Sequence, residues 1–165
     1  MRGAAGYSCN EAAFVCSFRA IAETSNRRVG ATRRRSIHPQ VIDILIIEDD
    51  QILRDLVADW LRLAGYQVRV AIDGRAGLAA VDDHPPALVV TDISMPGAGG
   101  DTVIAEIKRK RPAVPVIAIS ARFCCRQGLA PEEAVALGAA RTLAKPFKRH
   151  EMIAAVGDLV GSPRA

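Results

Sequence analysis

From residue 41 to residue 160, short apolar runs alternate with amphipathic segments, five of each. Residues 41–47 are almost continuously apolar, with Asp43 near the start, which suits a strand buried on both faces of a parallel sheet. Residues 67–72, 87–91, 114–120 and 141–144 read as four further strands. Between them the period changes to that of a helix. Ile52, Leu53, Leu56, Val57, Trp60 and Leu61 form one stripe, with Trp60 read as core, and Gly65 marks the helix end. Asp73 is placed to cap a helix over about 75–82, which His84-Pro85-Pro86 stops. Gly100 or Asp101 opens a helix that Pro112 closes, and Pro131 suits the first turn of another ending at Gly138. The last helix, 148–160, turns Met152, Ile153, Val156, Leu159 and Val160 inward. Strictly alternating strands and helices predict an α/β domain. Its sheet is doubly wound, open and parallel, with right-handed crossovers and helices on both faces.

In such sheets, function gathers at the carboxyl ends of the strands. The first strand runs into Glu48-Asp49-Asp50, the third into Asp92, the fourth into Ser120 and the fifth into Lys145. The predicted architecture therefore brings several carboxylates, a hydroxyl and an amine to one rim. Converging carboxylates repel unless a cation sits among them. Oxygen-only donors suit Mg²⁺, which keeps waters and leaves room for a phosphoryl group. A carboxylate can accept that group as an acyl phosphate. Lys145 and Ser120 are then placed to balance charge and donate hydrogen bonds to its oxygens. Asp92 also stands just before Met95-Pro96-Gly97, a turn that leads the chain away from the acid.

The stretches ILIIEDD, VVTDISMPGAGG, PVIAISA and LGAARTLAKPF together resemble the receiver domain of two-component response regulators, over about residues 42–160. The resemblance implies a flavodoxin-like sheet of five strands in the order 2-1-3-4-5. It implies that Asp92 accepts a phosphoryl group from a histidine kinase or a His-containing phosphotransfer protein. Asp49 and Asp92 would ligate Mg²⁺ with the Ser94 backbone carbonyl, and Glu48 would act mostly through water. Ser120 would be the switch hydroxyl, Lys145 the contact to the phosphoryl oxygens, and the Lys145–Pro146 bond cis. Asp50 falls outside the acid pair and is read as a helix cap. The chain departs from the family pattern in three places. Glu48 stands where Asp is commoner, Thr142 replaces an aromatic switch residue, and the loop over 122–130 is about three residues longer than usual. Ser94 and Arg122 occupy positions that tune phosphoryl loss in the family.

The chain of 165 residues carries a formal charge of +4, unevenly placed. Residues 1–40 hold seven Arg against Glu11 and Glu23, whereas 41–161 hold 14 basic and 16 acidic groups. The basic excess thus belongs to the N-terminal arm, which shows no sustained period and reads as a disordered extension. The receiver then spans 41–161, with a tail at 162–165. DNA binding through the arm finds little support, because its Arg clusters lack interleaved aromatics and a helix-turn-helix pattern. Cys9, Cys16, Cys124 and Cys125 have no zinc-type spacing and read as free thiols of a cytoplasmic protein. Redox sensing by the vicinal pair would need a strained disulfide. An enzyme using Asp92 as nucleophile would carry a second acid two residues on, where this chain has Ser94. A module of the same fold that never turns over phosphate is the remaining alternative, against which the complete acceptor set argues. No activity on another substrate is expected beyond Mg²⁺-dependent self-phosphorylation and autodephosphorylation. With the chain closing soon after the last helix, the signal is expected to leave through protein contacts, on a face including the first helix and the loops around Asp92.

Overall fold

In the computed structural model, residues 41–124 and 130–163 are described. The N-terminal arm with Cys9 and Cys16, Cys125 and most of the long loop, the side chains of Arg122 and Cys124, and the last two residues lie outside that set.

Five strands form one parallel sheet: β1 (Asp43–Ile47), β2 (Gln67–Ala71), β3 (Leu88–Asp92), β4 (Val116–Ser120) and β5 (Arg141–Ala144). Their order is β2-β1-β3-β4-β5, as the resemblance implied. The three central strands are the continuous apolar runs, and they are buried on both faces because helices cover both. The edge strands β2 and β5 are half exposed and carry Gln67, Arg69 and Arg141. Five helices alternate with the strands: α1 (Gln51–Leu63), α2 (Gly74–Asp83), α3 (Gly100–Lys110), α4 (Pro131–Ala136) and α5 (Arg149–Val160).

The pleat divides the core in two. Leu45, Ile47, Val89, Val116 and Ala118 point to one face, where α2, α3 and α4 cover them with Val81, Val103, Ile104, Ile107 and Ala134. Ile44, Ile46, Leu88, Val90, Ile117 and Ile119 point to the other, under Val57, Ala58 and Leu61 of α1 and Met152, Ala155 and Val156 of α5. Asp50 Oδ1 accepts from Leu53 N (3.1 Å) and Asp73 Oδ1 from Ala76 N (2.7 Å), so both acids act as the expected caps.

Several sequence expectations need correction. In α1 the outer part of the stripe faces solvent: Ile52 is 82% and Leu56 43% exposed. The buried face is Arg54, Val57, Ala58 and Leu61. A stripe wider than the contact with the sheet leaves its flank uncovered, and Ile52 lies in the first turn, at the sheet's rim. Trp60 is half-buried instead of core, with its ring edge-on to Phe147 at 6.4 Å. In α5, Ile153, Leu159 and Val160 are half-buried, and Ala155 takes an inner position. β4 starts at Val116, not 114, because Pro115 has no N–H for the ladder. A 3₁₀ turn over Ala121–Cys124, unmarked in the sequence, follows β4.

Candidate functional site

The parallel register places every strand's carboxyl end on one side, and the predicted residues meet there. Asp92 is the last residue of β3, paired with Ile119, so Ser120 sits one residue further along the neighbouring strand. Ser120 pairs with Ala144, which sets Lys145 just beyond the end of β5. Glu48 follows Ile47 and is held to β2 through Glu48 N–H to Ala71 O (3.2 Å). Gly100, at the start of α3, passes against the backbone of Asp92 so closely that a Cβ there would meet Asp92 O at 2.2 Å. The close packing of this loop fixes the direction in which Asp92 leaves the strand.

Lys145 Nζ is the hub. It donates to Glu48 Oε1 (3.0 Å), Glu48 Oε2 (2.9 Å) and Asp92 Oδ2 (2.9 Å). The other oxygen of Asp92 accepts from Ser94 N–H (3.1 Å). The Ser94 and Ser120 hydroxyls lie 3.3 Å apart and share a hydrogen bond. Glu48 and Ser120 are buried, Asp92 is 5% exposed, and Asp49 and Ser94 face solvent. The Lys145–Pro146 peptide is cis. Thr142 is half-buried on β5, opposite Ala118.

The electrostatics follow from burial. Desolvation pushes the Glu48 carboxyl above the usual carboxylate range, and the Lys145 ammonium offsets part of that rise. Burial pulls Lys145 down, but its hydrogen bonds to Glu48 and Asp92 more than compensate, so it stays firmly an ammonium. Carboxylate oxygens of Glu48, Asp49 and Asp92 all lie within 4.8 Å of one another. Three hard oxygen donors with no sulphur or nitrogen fit a divalent cation of the Mg²⁺ or Ca²⁺ type.

One contributor was missed in the sequence. Arg54, buried on α1, donates from Nη1 to the backbone carbonyls of Glu48 (2.9 Å) and Asp49 (3.3 Å). Its signal was present: Arg54, Val57, Ala58 and Leu61 follow helical spacing, and a charged residue on the inward stripe needs a partner in the core.

Residues 44–157 match the model of the response regulator receiver domain. The chain belongs to that family. It is 33% identical over 121 residues to the DNA-binding transcriptional regulator NtrC of Bradyrhizobium sp., a match covering 73% of this chain and 25% of the relative. It is also 33% identical over 117 residues to the transcriptional regulatory protein PrrA of Mycobacterium bovis, covering 71% and 49%. Among solved structures, the receiver domain of NtrX from Brucella abortus superposes with a TM-score of 0.66 at 34% identity, covering 72% of this chain and 98% of that one. The chain thus spans about a quarter to a half of the length of these curated relatives. It contains a receiver domain of a two-component system, a module that works with histidine kinases or phosphotransfer proteins. Among the described residues no helix is long and apolar enough to cross a membrane.

Proposed function

We propose that this receiver accepts one phosphoryl group on Asp92 from the phosphohistidine of a kinase or phosphotransfer protein, in a Mg²⁺-dependent step. The observation that carries the reading is the Asp92 carboxylate, held at the rim with one oxygen on Lys145 and the other on the Ser94 amide, beside Glu48 and Asp49. An Asp92 oxygen attacks phosphorus in line. An O–P bond forms, the N–P bond to the donor histidine breaks, and the imidazole leaves with the nitrogen electron pair. Lys145, already pointing at Asp92, follows the charge onto the phosphoryl oxygens. Ser120 leaves Ser94 to donate to one of them, which changes the rim between β4 and β5. Glu48, Asp49 and Asp92, with the Ser94 carbonyl, would hold Mg²⁺, which supplies charge neutralisation for the transferring group. Hydrolysis of the acyl phosphate returns the domain to its starting state, so the domain acts on no substrate but its own aspartate.

The donor docks on the apolar flank of α1. Leu53, Leu56 and Trp60 line a groove of about 420 Å³ with Ala121, Pro146, Phe147 and Lys145, the residue that also reaches Asp92. Exposed Ile52 extends that surface. Residues 1–40 are a basic extension outside the receiver, and 162–165 form a tail.

The test is to incubate the full chain with Mg²⁺ and a small acyl phosphate, then read intact mass. One phosphoryl group is expected on the wild type, and none with Mg²⁺ chelated. A wild type that gains nothing, or gains equally under chelation, defeats the proposal.

A further inference from the structure

We infer that Arg54 is a positioning residue for cation binding: by clamping two successive backbone carbonyls, it sets the acid pair to receive a divalent ion. The inference rests on the reading that Glu48 and Asp49 belong to a cation site. Arg54 lies outside the constellation assigned above and touches neither Asp92 nor Lys145 among the described contacts. It is 9% exposed, and its recorded hydrogen bonds go to Glu48 O and Asp49 O. A buried guanidinium is costly unless its donors are satisfied, so the segment that satisfies them is held in return.

The segment held lies between two regular elements. β1 ends at Ile47 and α1 starts at Gln51, so Glu48, Asp49 and Asp50 belong to neither ladder. The Glu48 amide bonds to Ala71 O, and the Asp50 side chain caps α1 at Leu53 N. The carbonyls of Glu48 and Asp49 point the other way, to a single nitrogen of Arg54. With both peptide planes fixed, the two Cα–Cβ bonds are directed to the rim, Glu48 inward to Lys145 and Asp49 outward to solvent. Groups that orient ligands in this way commonly govern metal affinity although they never touch the ion.

Charge and geometry predict opposite signs, which makes the inference testable. The positive charge of Arg54 by itself repels a divalent cation, so its removal tightens binding if charge is all that matters. If positioning prevails, removal weakens binding. The measurement is an NMR titration of the full chain with MgCl₂, without phosphodonor, following amide shifts of the folded species. Arg54→Met keeps the buried stem, and Arg54→Lys keeps the charge but has a compact head suited to only one carbonyl. The expected result is an Mg²⁺ dissociation constant raised by about tenfold or more in Arg54→Met, with Arg54→Lys between it and the wild type. Should Arg54→Met fail to fold, Arg54→Lys decides alone. Affinity equal to or tighter than wild type in the folded variant overturns the inference, even if its unfolding midpoint has dropped. A wild type that binds no Mg²⁺ defeats instead the cation site on which it rests.

Discussion

Lys145 illustrates how one side chain holds this site together. It neutralises Glu48, which is 1% exposed, and Asp92 at the same time. Lys145→Met leaves Glu48 as a buried, uncompensated carboxylate, and breaking such a pair costs roughly 3 kcal/mol near neutral pH. The sign of the pH dependence follows from Glu48. Its folded pKa already lies above the ordinary value of 4.5 because of burial, and losing the ammonium raises it further. A raised carboxyl favours the fold below its unfolded pKa and loses that advantage as pH rises through the folded value. The deficit of Lys145→Met, measured by urea unfolding, is therefore largest at pH 7 and shrinks as pH falls toward 4.5. A deficit that grows on acidification contradicts the account. In the wild type, Lys145 is itself raised, so its contribution persists through neutral pH and is lost only above about 10.5. Glu48, Asp49, Asp92, Ser120 and Lys145 were legible in the sequence because each closes an apolar run, and a parallel sheet gathers such ends. The direct grip of Glu48 on Lys145 was not legible. It depends on where the Glu48 and Lys145 side chains meet across the rim, which strand order and register do not specify.

At the level of elements, α1 has two adjoining faces, one buried and one exposed. Val57, Ala58 and Leu61 pack on the sheet, while Ile52 and Leu56 are exposed, Leu56 lining the groove that Lys145 also lines. Substituting both exposed residues, Ile52→Glu with Leu56→Glu, should change stability by no more than about 0.5 kcal/mol, as is usual for surface sites. Transfer from a phosphorylated protein donor is expected to fall sharply, while phosphorylation by a small acyl phosphate stays near the wild-type rate. Equal losses with both donors would place these residues in the chemistry, and no loss with either would remove α1 from the docking face. Strand and helix identities were readable from period taken together with run length and the Gly and Pro residues that punctuate the runs, since a short apolar run by itself does not distinguish a strand from a buried helix. Boundaries were less so. Asp92 belongs inside β3, paired to Ile119, although its charge suggested that the strand stopped before it. The width of the α1 stripe could not say which part the sheet covers, because that depends on where the helix crosses the rim.

Considered whole, the chain divides by charge: a basic arm of 40 residues precedes a slightly acidic domain. The family match begins at residue 44, beyond the arm. Removing residues 1–40 should leave the urea midpoint and the extent of phosphorylation by an acyl phosphate unchanged. A large fall in either would make the arm part of the working domain. An open, parallel, doubly wound sheet was legible because alternating elements and right-handed crossovers leave few arrangements, whereas the strand order came from the family resemblance. The partner that reads the domain was not, since an exposed apolar flank specifies chemistry but not identity. The central claim is that Asp92 is the phosphoryl acceptor, and it can be tested on the covalent product. After phosphorylation with Mg²⁺ and a small acyl phosphate, borohydride reduces an aspartyl phosphate to homoserine, which peptide mass spectrometry locates. Homoserine at position 92, absent in Asp92→Asn, is the predicted result; homoserine at Asp49 or Asp50, or at no position, would contradict it.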